Sequence, residues 1–132
     1  MDSRTASCRC GQLTATVTGE PVRVSVCHCL KCKKRSGSAF AVQARWPGER
    51  VTVAGKAKTF VMVADSGNRG TYHFCPECGS DVFYENEGKF DGLVAIPLGA
   101  FEDPYFASPA YSVWEGRKCD WVEVVGDMEH TR

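Results

Sequence analysis

The sequence predicts a mainly β fold, and three observations carry this prediction. Apolar and polar residues alternate in short segments, as they do in half-buried strands. Glycine, proline or small polar residues separate these segments, and no helical periodicity lasts ten residues. We expect one domain over residues 1–132, because a chain of this length buries roughly two-thirds of the surface that its unfolded form exposes and contains no internal repeat or linker.

Each predicted strand ends at a turn signal; Gly19, for example, closes the first of them. The predicted strands cover 13–17, 22–26, 40–46, 51–53, 59–63, 71–74, 81–84 and 93–96. At most a short helical turn fits near 36–38, and the polar stretch 65–70 is predicted to be a loop. Segments 111–114 and 120–124 are either edge strands or a cover for the open end of the sheet.

Composition and charge exclude several classes of protein. Sixteen basic residues balance sixteen acidic ones, so binding to a polyanion is not favoured. No segment resembles a signal peptide or approaches the roughly twenty apolar residues of a membrane span, so we expect a cytoplasmic protein. Thiols are kept reduced there, and eight cysteines then indicate metal ligation rather than a disulfide framework.

Three cysteines at the end of the second predicted strand form the densest thiol cluster. Cys27 and Cys29 lie two residues apart and point the same way in extended backbone, and a turn would bring Cys32 to them. Three thiolates suit a zinc ion whose fourth position stays open for a substrate. A closed zinc site with a distant fourth ligand, or disulfides, are the alternatives. His28 should point away from the thiols, as a residue behind the site or on the surface.

A second set of thiols has the spacing of a zinc knuckle. Cys75 and Cys78 straddle a tight turn, and a matching pair, Cys8 and Cys10, lies about 65 residues earlier. Together they would form a four-thiolate site that closes a long loop. A redox role for Cys75 and Cys78 is the alternative, although no βαβ pattern surrounds them. Cys119 lies outside these motifs, either as an unpaired thiol or as the fourth ligand of the other site.

The motifs occur in the order Cys-x-Cys-Gly, then Cys-x-Cys-x-x-Cys with basic residues and Ser-Gly-Ser, then Phe-Cys-x-x-Cys-Gly. This order resembles the glutathione-dependent formaldehyde-activating enzyme family, which includes centromere protein V. Seven of the eight cysteines match, and the resemblance spans about residues 7–122, including Trp114 and Trp121.

The resemblance implies an Mss4-like fold of short antiparallel strands with two zinc ions per chain. It implies a structural zinc on one set of cysteines and a second zinc on the other. The structural set is Cys8, Cys10, Cys75 and Cys78, and the second is Cys27, Cys29 and Cys32. The activity named for the family joins glutathione to formaldehyde, giving S-hydroxymethylglutathione, and is classed as a carbon–sulfur lyase.

The charge of a three-thiolate zinc centre leads to a compatible chemistry. Three thiolates leave the centre with a net charge of −1, which suits an incoming thiol better than it suits the activation of water. Lys31 and the basic run Lys33, Lys34 and Arg35 would hold the carboxylates of an anionic thiol such as glutathione. A solvated surface is the other interpretation of this basic run.

Two hypotheses of function follow. In the first, the protein is a zinc-dependent carbon–sulfur lyase that adds a small thiol, such as glutathione, to formaldehyde or a related electrophile, or catalyses the reverse cleavage. Cys27, Cys29 and Cys32 are then its catalytic ligands. In the second, both zinc ions are structural and the β surface binds a protein or a nucleic acid. The zero net charge weighs against nucleic acid.

Overall fold

A computed structural model describes residues 2–64 and 66–132, and within them the chain forms eleven strands and one α-helix. Met1 and Asp65 lie outside the described residues. In chain order the elements are β1 (Ser3–Ser7), β2 (Thr14–Thr18), β3 (Arg23–Cys27), α1 (Leu30–Ser36), β4 (Ala41–Pro47), β5 (Val51–Ala54), β6 (Lys58–Val63), β7 (Arg69–Phe74), β8 (Asp81–Asn86), β9 (Leu93–Pro97), β10 (Tyr111–Val113) and β11 (Glu129–His130). The mainly β prediction is confirmed.

The strands form a small sheet and a large one. The small sheet has the order β1-β2-β5, and the large sheet has the order β11-β10-β3-β4-β9-β8-β7-β6. Most neighbouring strands are antiparallel, as predicted, but β10 runs parallel to both β3 and β11. This parallel pairing brings a segment from the end of the chain to lie beside the strand that leads into the three-cysteine cluster.

The hydrophobic core contains side chains from both sheets. Leu13 next to β2 and Ala15 and Val17 within it contribute from the small sheet, and Trp46 and Ile96 contribute from the large one. The fully buried Trp46 ring lies 5.5 Å from that of Phe101. Its indole N–H donates a hydrogen bond of 3.0 Å to the carbonyl oxygen of Gly19, so the polar atom of this large side chain is satisfied inside the core.

The β3–β4 pair presents different residues on its two faces. Val24 is opposite Ala44 in the ladder, and both belong to the core. The alternate positions include Arg23 opposite Arg45, and Ser25 opposite Gln43, and all four line a cleft. Because side chains alternate along a strand, one face of this pair packs in the core and the other lines the cleft.

The structure corrects several boundaries. Strand β1 was not predicted, because its polar sequence shows no clear alternation, yet it pairs along its whole length with β2. The candidate strand at 120–124 is wrong; this segment is irregular, and β11 forms later in the chain. The predicted loop at 65–70 ends earlier than expected, since β7 begins at Arg69. The basic run lies on helix α1, which ends at Gly37 in the left-handed conformation.

No helix in the described part of the chain has the length and apolar character needed to cross a membrane.

We predict that Gly55→Ala destabilises the fold by about 3 kcal/mol or more. Gly55 has φ of +98°, and an added Cβ would lie 2.0 Å from the carbonyl oxygen of Gln12, so the backbone would have to move. Gly92→Ala is the matched control, because Gly92 has φ of +82° but open space around its Cβ position. Gly92→Ala should destabilise the fold by only about 1–2 kcal/mol, the cost of an alanine in the left-handed conformation. Urea unfolding measures both, and equal losses would contradict the close approach at Gly55.

Candidate metal centres and substrate cleft

Four cysteines from two loops meet beside the small sheet. Cys8 and Cys10 follow β1, and Cys75 and Cys78 lie between β7 and β8. Their four Sγ atoms all lie within 4.8 Å of one another. The Cys8–Cys10 and Cys10–Cys75 sulfur pairs are 3.6 and 3.7 Å apart. A tetrahedral zinc with Zn–S bonds of about 2.3 Å separates its sulfurs by about 3.8 Å, so this group fits a zinc ion.

Backbone and side-chain N–H groups point at the sulfurs of this four-cysteine cluster. The N–H of Leu13 donates to Cys8 Sγ, and the N–H of Glu77 donates to Cys75 Sγ, each at 3.3 Å. Backbone hydrogen bonds from Ser80 and Cys10 lower the pKa of the Cys78 thiol to about 5. Such donors favour thiolates, which are the form that binds metal.

Gln12 connects the four-cysteine cluster to the turn between β5 and β6. Its Nε2 donates to Cys75 Sγ at 3.0 Å and to the carbonyl oxygen of Lys56 at 2.7 Å. Its Oε1 accepts the N–H of Lys56 at 2.9 Å. Sequence reasoning missed this residue, because a glutamine next to a Cys-x-Cys-Gly motif gives no signal of such a contact. Gln12 orients a candidate metal ligand and holds a neighbouring turn at once.

The other three cysteines meet where β3 passes into helix α1. Cys27 ends the strand, Cys29 is the N-cap of the helix, and Cys32 lies in its first turn. Their Sγ atoms lie within 4.8 Å of one another. The N-cap sulfur of Cys29 accepts the backbone N–H of Cys32 at 3.3 Å, which satisfies one of the free donors at the start of the helix. This three-cysteine cluster therefore depends on the local strand-to-helix turn.

Negative charge in the three-cysteine cluster falls first on Cys29. Hydrogen bonds from the thiols of Cys27 and Cys32 lower the pKa of Cys29 to about 2. Hydrogen bonds with the thiols of Cys29 and Cys32, together with burial, raise the pKa of Cys27. Adjacent thiols that compete in this way are suited to a divalent cation, which would allow all three to be ionised. The donor set, three soft sulfurs on one side of a point, fits zinc.

The three-cysteine cluster opens onto a cleft of about 820 Å³. Gln43, Tyr84 and the arginines at 23, 35 and 45 line it together with all three cysteines, and Phe60, Tyr72, Phe90 and Trp114 add aromatic surface. A cavity of this size, mainly apolar with a few polar groups, is typical of a small-molecule site. Burial raises the pKa of Tyr84 to about 12, so this phenol stays protonated at neutral pH.

The basic run is divided by the helix. Lys34 and Arg35 line the cleft, but Lys33 does not; its Nζ donates to the carbonyl oxygen of Arg117 and approaches Cys119 Sγ at 3.6 Å. Arg35 lies over the Tyr84 ring, 4.7 Å from its centroid. Burial opposes the charge of Arg35, but nearby Tyr84 and Cys32 raise its pKa on balance. The structure thus places Lys34 and Arg35 in the wall of the cleft and Lys33 against the segment that contains Arg117 and Cys119.

His28 and Cys119 both lie outside the two clusters. The His28 ring is fully buried, and its Nε2 lies 3.0 Å from the Ser112 hydroxyl on β10; the alternative of a surface position is therefore wrong. Burial lowers the pKa of His28, which favours the neutral ring. Among the residues described, no histidine, cysteine or carboxylate joins the three cysteines as a fourth donor within 4.8 Å.

Comparison with known proteins agrees with the motif order. The family model described as "Glutathione-dependent formaldehyde-activating enzyme" matches residues 3–117. The chain belongs to this family. A relative from Penicillium rubens, named "Putative glutathione-dependent formaldehyde-activating enzyme", is 28% identical over 115 residues. The aligned part covers 82% of this chain and 60% of the relative, so the chain spans less than two-thirds of that relative's length.

A solved structure supports the fold of this family member. The crystal structure of a Rhodobacter sphaeroides protein superposes with a TM-score of 0.59 at 17% identity, covering 74% of this chain and 87% of the other. At this identity the likeness concerns the fold alone.

We predict two zinc ions per chain of this family member when it is purified without chelator. Seven cysteines form one group of four and one group of three, and each group has sulfur spacing that suits a metal. Mass spectrometry under native conditions, with elemental analysis, would count the ions. A value of one or none per chain would contradict the prediction.

We expect Cys75→Ser to destabilise the fold by about 3 kcal/mol or more, because a structural zinc contributes folding free energy directly. Cys8→Ser should behave alike, since its sulfur is equally buried in the same cluster. Cys29→Ser should lose less folding stability, because its cluster is built from neighbouring residues and closes no long loop. Thermal unfolding measures the order of stability. If the Cys29 variant unfolded and the Cys8 variant remained folded, the structural and catalytic assignments of the two clusters would have to be exchanged.

Proposed function

We propose that the protein is a zinc-dependent carbon–sulfur lyase-type enzyme that joins a small thiol, such as glutathione, to formaldehyde or a related small carbonyl compound, or catalyses the reverse cleavage. In this proposal Cys27, Cys29 and Cys32 hold the catalytic zinc, and Cys8, Cys10, Cys75 and Cys78 hold a structural one. The observation that carries the proposal is the position of the three-cysteine cluster in the wall of an 820 Å³ cleft.

The two clusters differ in the way that structural and catalytic zinc sites differ. Structural sites use four protein ligands, whereas catalytic sites use three and leave one position for a substrate or water. The four-cysteine cluster lies outside the cleft, and the three-cysteine cluster lines it. Cys119, the remaining cysteine, is approached by Lys33 instead. Membership of the family supports the same division of roles.

Zinc held by three thiolates, when bound, would lower the pKa of a thiol that reaches its open side. The chain's own groups then position that thiol. Arg35, above Tyr84 and close to Cys32, places positive charge where the substrate sulfur loses its proton. Aromatic side chains line much of the cleft, so a bound substrate would lie against apolar surface.

The reaction is balanced without an oxidant or reductant. The thiol proton leaves the sulfur, and a sulfur lone pair forms the new C–S bond with the carbonyl carbon. The π pair of the C=O bond moves onto the oxygen, which takes up a proton to become a hydroxyl. In the reverse direction the hydroxyl proton is lost, the C=O bond re-forms, and the C–S bond breaks to release the thiol. We further propose a cytoplasmic location, because seven of the eight cysteines form groups that could hold metal rather than disulfides, as is usual in a reducing compartment.

We expect glutathione to change the visible and near-ultraviolet absorption of cobalt-substituted protein, because its sulfur would complete the open site. Cys29→Ser should abolish the change. Cys119→Ser is the matched control, since it removes a cysteine outside both clusters and should leave the change intact. No spectral change with any small thiol, in protein that carries both metals, would contradict the proposed function and favour a binding module with two structural zinc ions.

A further inference from the structure

The wall of the cleft, as far as the described residues form it, contains a single carboxylate, that of Asp81. The other charged side chains of this wall are lysines and arginines, which donate protons and do not accept them. Tyr84 stays protonated at neutral pH, because burial raises its pKa to about 12. Apart from the three cysteines, Asp81 is therefore the side chain in this wall that can accept a proton in its ordinary ionised form.

A β-bulge turns Asp81 toward the cleft. Two successive residues of β7, at 73 and 74, pair with Phe83 and Asp81 of β8, so β8 contains one extra residue, Val82. Val82 and Phe83 both belong to the core, whereas Asp81 lines the cleft. In a regular strand Asp81 would share the face of Phe83, two residues away, and would point into the core. Bulges re-aim side chains in this way and are common next to active sites.

The Asp81 side chain is half-buried and has no close ion-pair partner. Among the described residues, no lysine, arginine or histidine nitrogen lies within 4.0 Å of its carboxylate. Burial raises the pKa of Asp81, and the more distant charge of Arg35 lowers it by a smaller amount. A carboxyl whose pKa is raised in this way exchanges a proton at neutral pH more readily than an ordinary surface aspartate does.

Arg35 connects Asp81 to the three-cysteine cluster. Its guanidinium donates a hydrogen bond to Cys32, and its charge also acts on Asp81. One arginine side chain thus lies between the carboxylate and a candidate metal ligand. Of the described residues that form the wall, Asp81 is therefore the carboxylate that can take a proton from a thiol bound beside the cysteines.

A second cavity, of about 740 Å³, also has Asp81 in its wall. Arg35, Gly79 and Asp81 line both this cavity and the cleft, so these residues lie between the two. The other polar side chains of the second cavity are Thr5, Ser7, Arg9, Ser36, Ser80 and Glu102. Asp81 consequently keeps access to water on one side when a substrate fills the cleft on the other.

Titratable groups approach Asp81 from each element around it. Helix α1 contributes Cys32, Lys34 and Arg35 to the shared cleft, β7 contributes Tyr72, β8 contributes Tyr84, and the second cavity adds Arg9 and Glu102. Of these groups, Arg35 is the one whose charge changes the pKa of Asp81.

We propose that Asp81 is a catalytic acid and base that carries the proton between the substrate sulfur and the carbonyl oxygen. As the C–S bond forms, the carboxylate takes the thiol proton, and the π pair of the C=O bond moves onto the oxygen. The Asp81 carboxyl then gives its proton to that oxygen. In the reverse cleavage it takes the hydroxyl proton and returns it to the sulfur, so Asp81 is unchanged after either cycle. This inference rests on the proposed function and deepens it.

Asp81→Asn tests this role, because it keeps the shape of the side chain and removes its ability to accept a proton. For the addition of glutathione to formaldehyde, corrected for the spontaneous rate, kcat should fall about a hundredfold, with little change in KM. Asp81→Glu should retain about a tenth or more of the wild-type kcat, because it keeps the carboxylate. Asp91→Asn is the matched control, since it removes a carboxylate at an exposed position outside both cavities.

The pH profile provides a readout that a merely structural role would not change. In the wild type, kcat/KM should fall as the pH decreases through the pKa of Asp81, which burial raises above the usual range of an aspartate. The protonated carboxyl can no longer accept the thiol proton, so Asp81→Asn should lose this decrease. Zinc content at each pH verifies that the decrease does not come from loss of metal. A wild-type profile or an unaltered kcat in the Asn variant would overturn the inference.

The cobalt spectrum separates this inference from the proposed function. Glutathione should still change the absorption of cobalt-substituted Asp81→Asn, because the variant retains all three cysteines. The same spectral change with an unaltered kcat would overturn the role of Asp81 and keep the proposed function. Loss of the change in the variant alone would also overturn the catalytic role, because the carboxylate would then act in binding. No spectral change in the wild type would overturn the proposed function, and this inference with it.

Melting temperature verifies that each variant folds. Asp81→Ser, which also lacks the carboxylate, replaces the Asn variant in the same measurements if that variant unfolds.

Discussion

The convergence of four sulfurs from two distant loops is the constraint on which the rest of the structure depends. Sixty-five residues separate Cys10 from Cys75, and bringing them together carries an entropic cost that local structure cannot offset. A metal ion bound by all four cysteines would offset it. The loops that carry these cysteines follow β1 of the small sheet and β7 of the large one. Cys8 and Cys75 also belong to the hydrophobic core that both sheets share, so this contact joins the two sheets at the edge of their common core.

The two cysteine groups place the same side chain in different surroundings. In the group of four, backbone N–H donors and Gln12 surround sulfurs that belong to separate parts of the chain. In the group of three, one strand-to-helix turn supplies every sulfur, and an open cleft lies next to them. Long-range closure therefore characterises the first group, and access to a ligand characterises the second. The two groups therefore differ in their surroundings and in the separation of their cysteines along the sequence, although the ligand atoms are the same.

Sequence patterns predicted most of the fold, because alternation and turn residues act locally. The strands around Val24, Val53 and Ile96 were found in this way. Strand β1 was not predicted, because its polar sequence becomes a strand only through pairing with β2. The cysteines could be assigned to two groups from their spacing in the sequence, whereas the cleft beside them could not be predicted. Arg23 and Arg45 are ordinary exposed-looking residues in the sequence, and only the register that places them opposite each other puts them in the wall of the cleft.

The alternation along β3 and β4 limits how this protein can vary. Substitution of a cleft-facing residue leaves the core-facing residues Val24, Ala44 and Trp46 unchanged, so ligand preference can diverge among relatives at little expense to folding. An insertion or deletion of one residue is different, because it turns every following side chain to the opposite face. It would turn a cleft-lining arginine into the hydrophobic core and Trp46 toward the cleft. Variation in this region should therefore be confined to replacement of single side chains, with the lengths of both strands preserved.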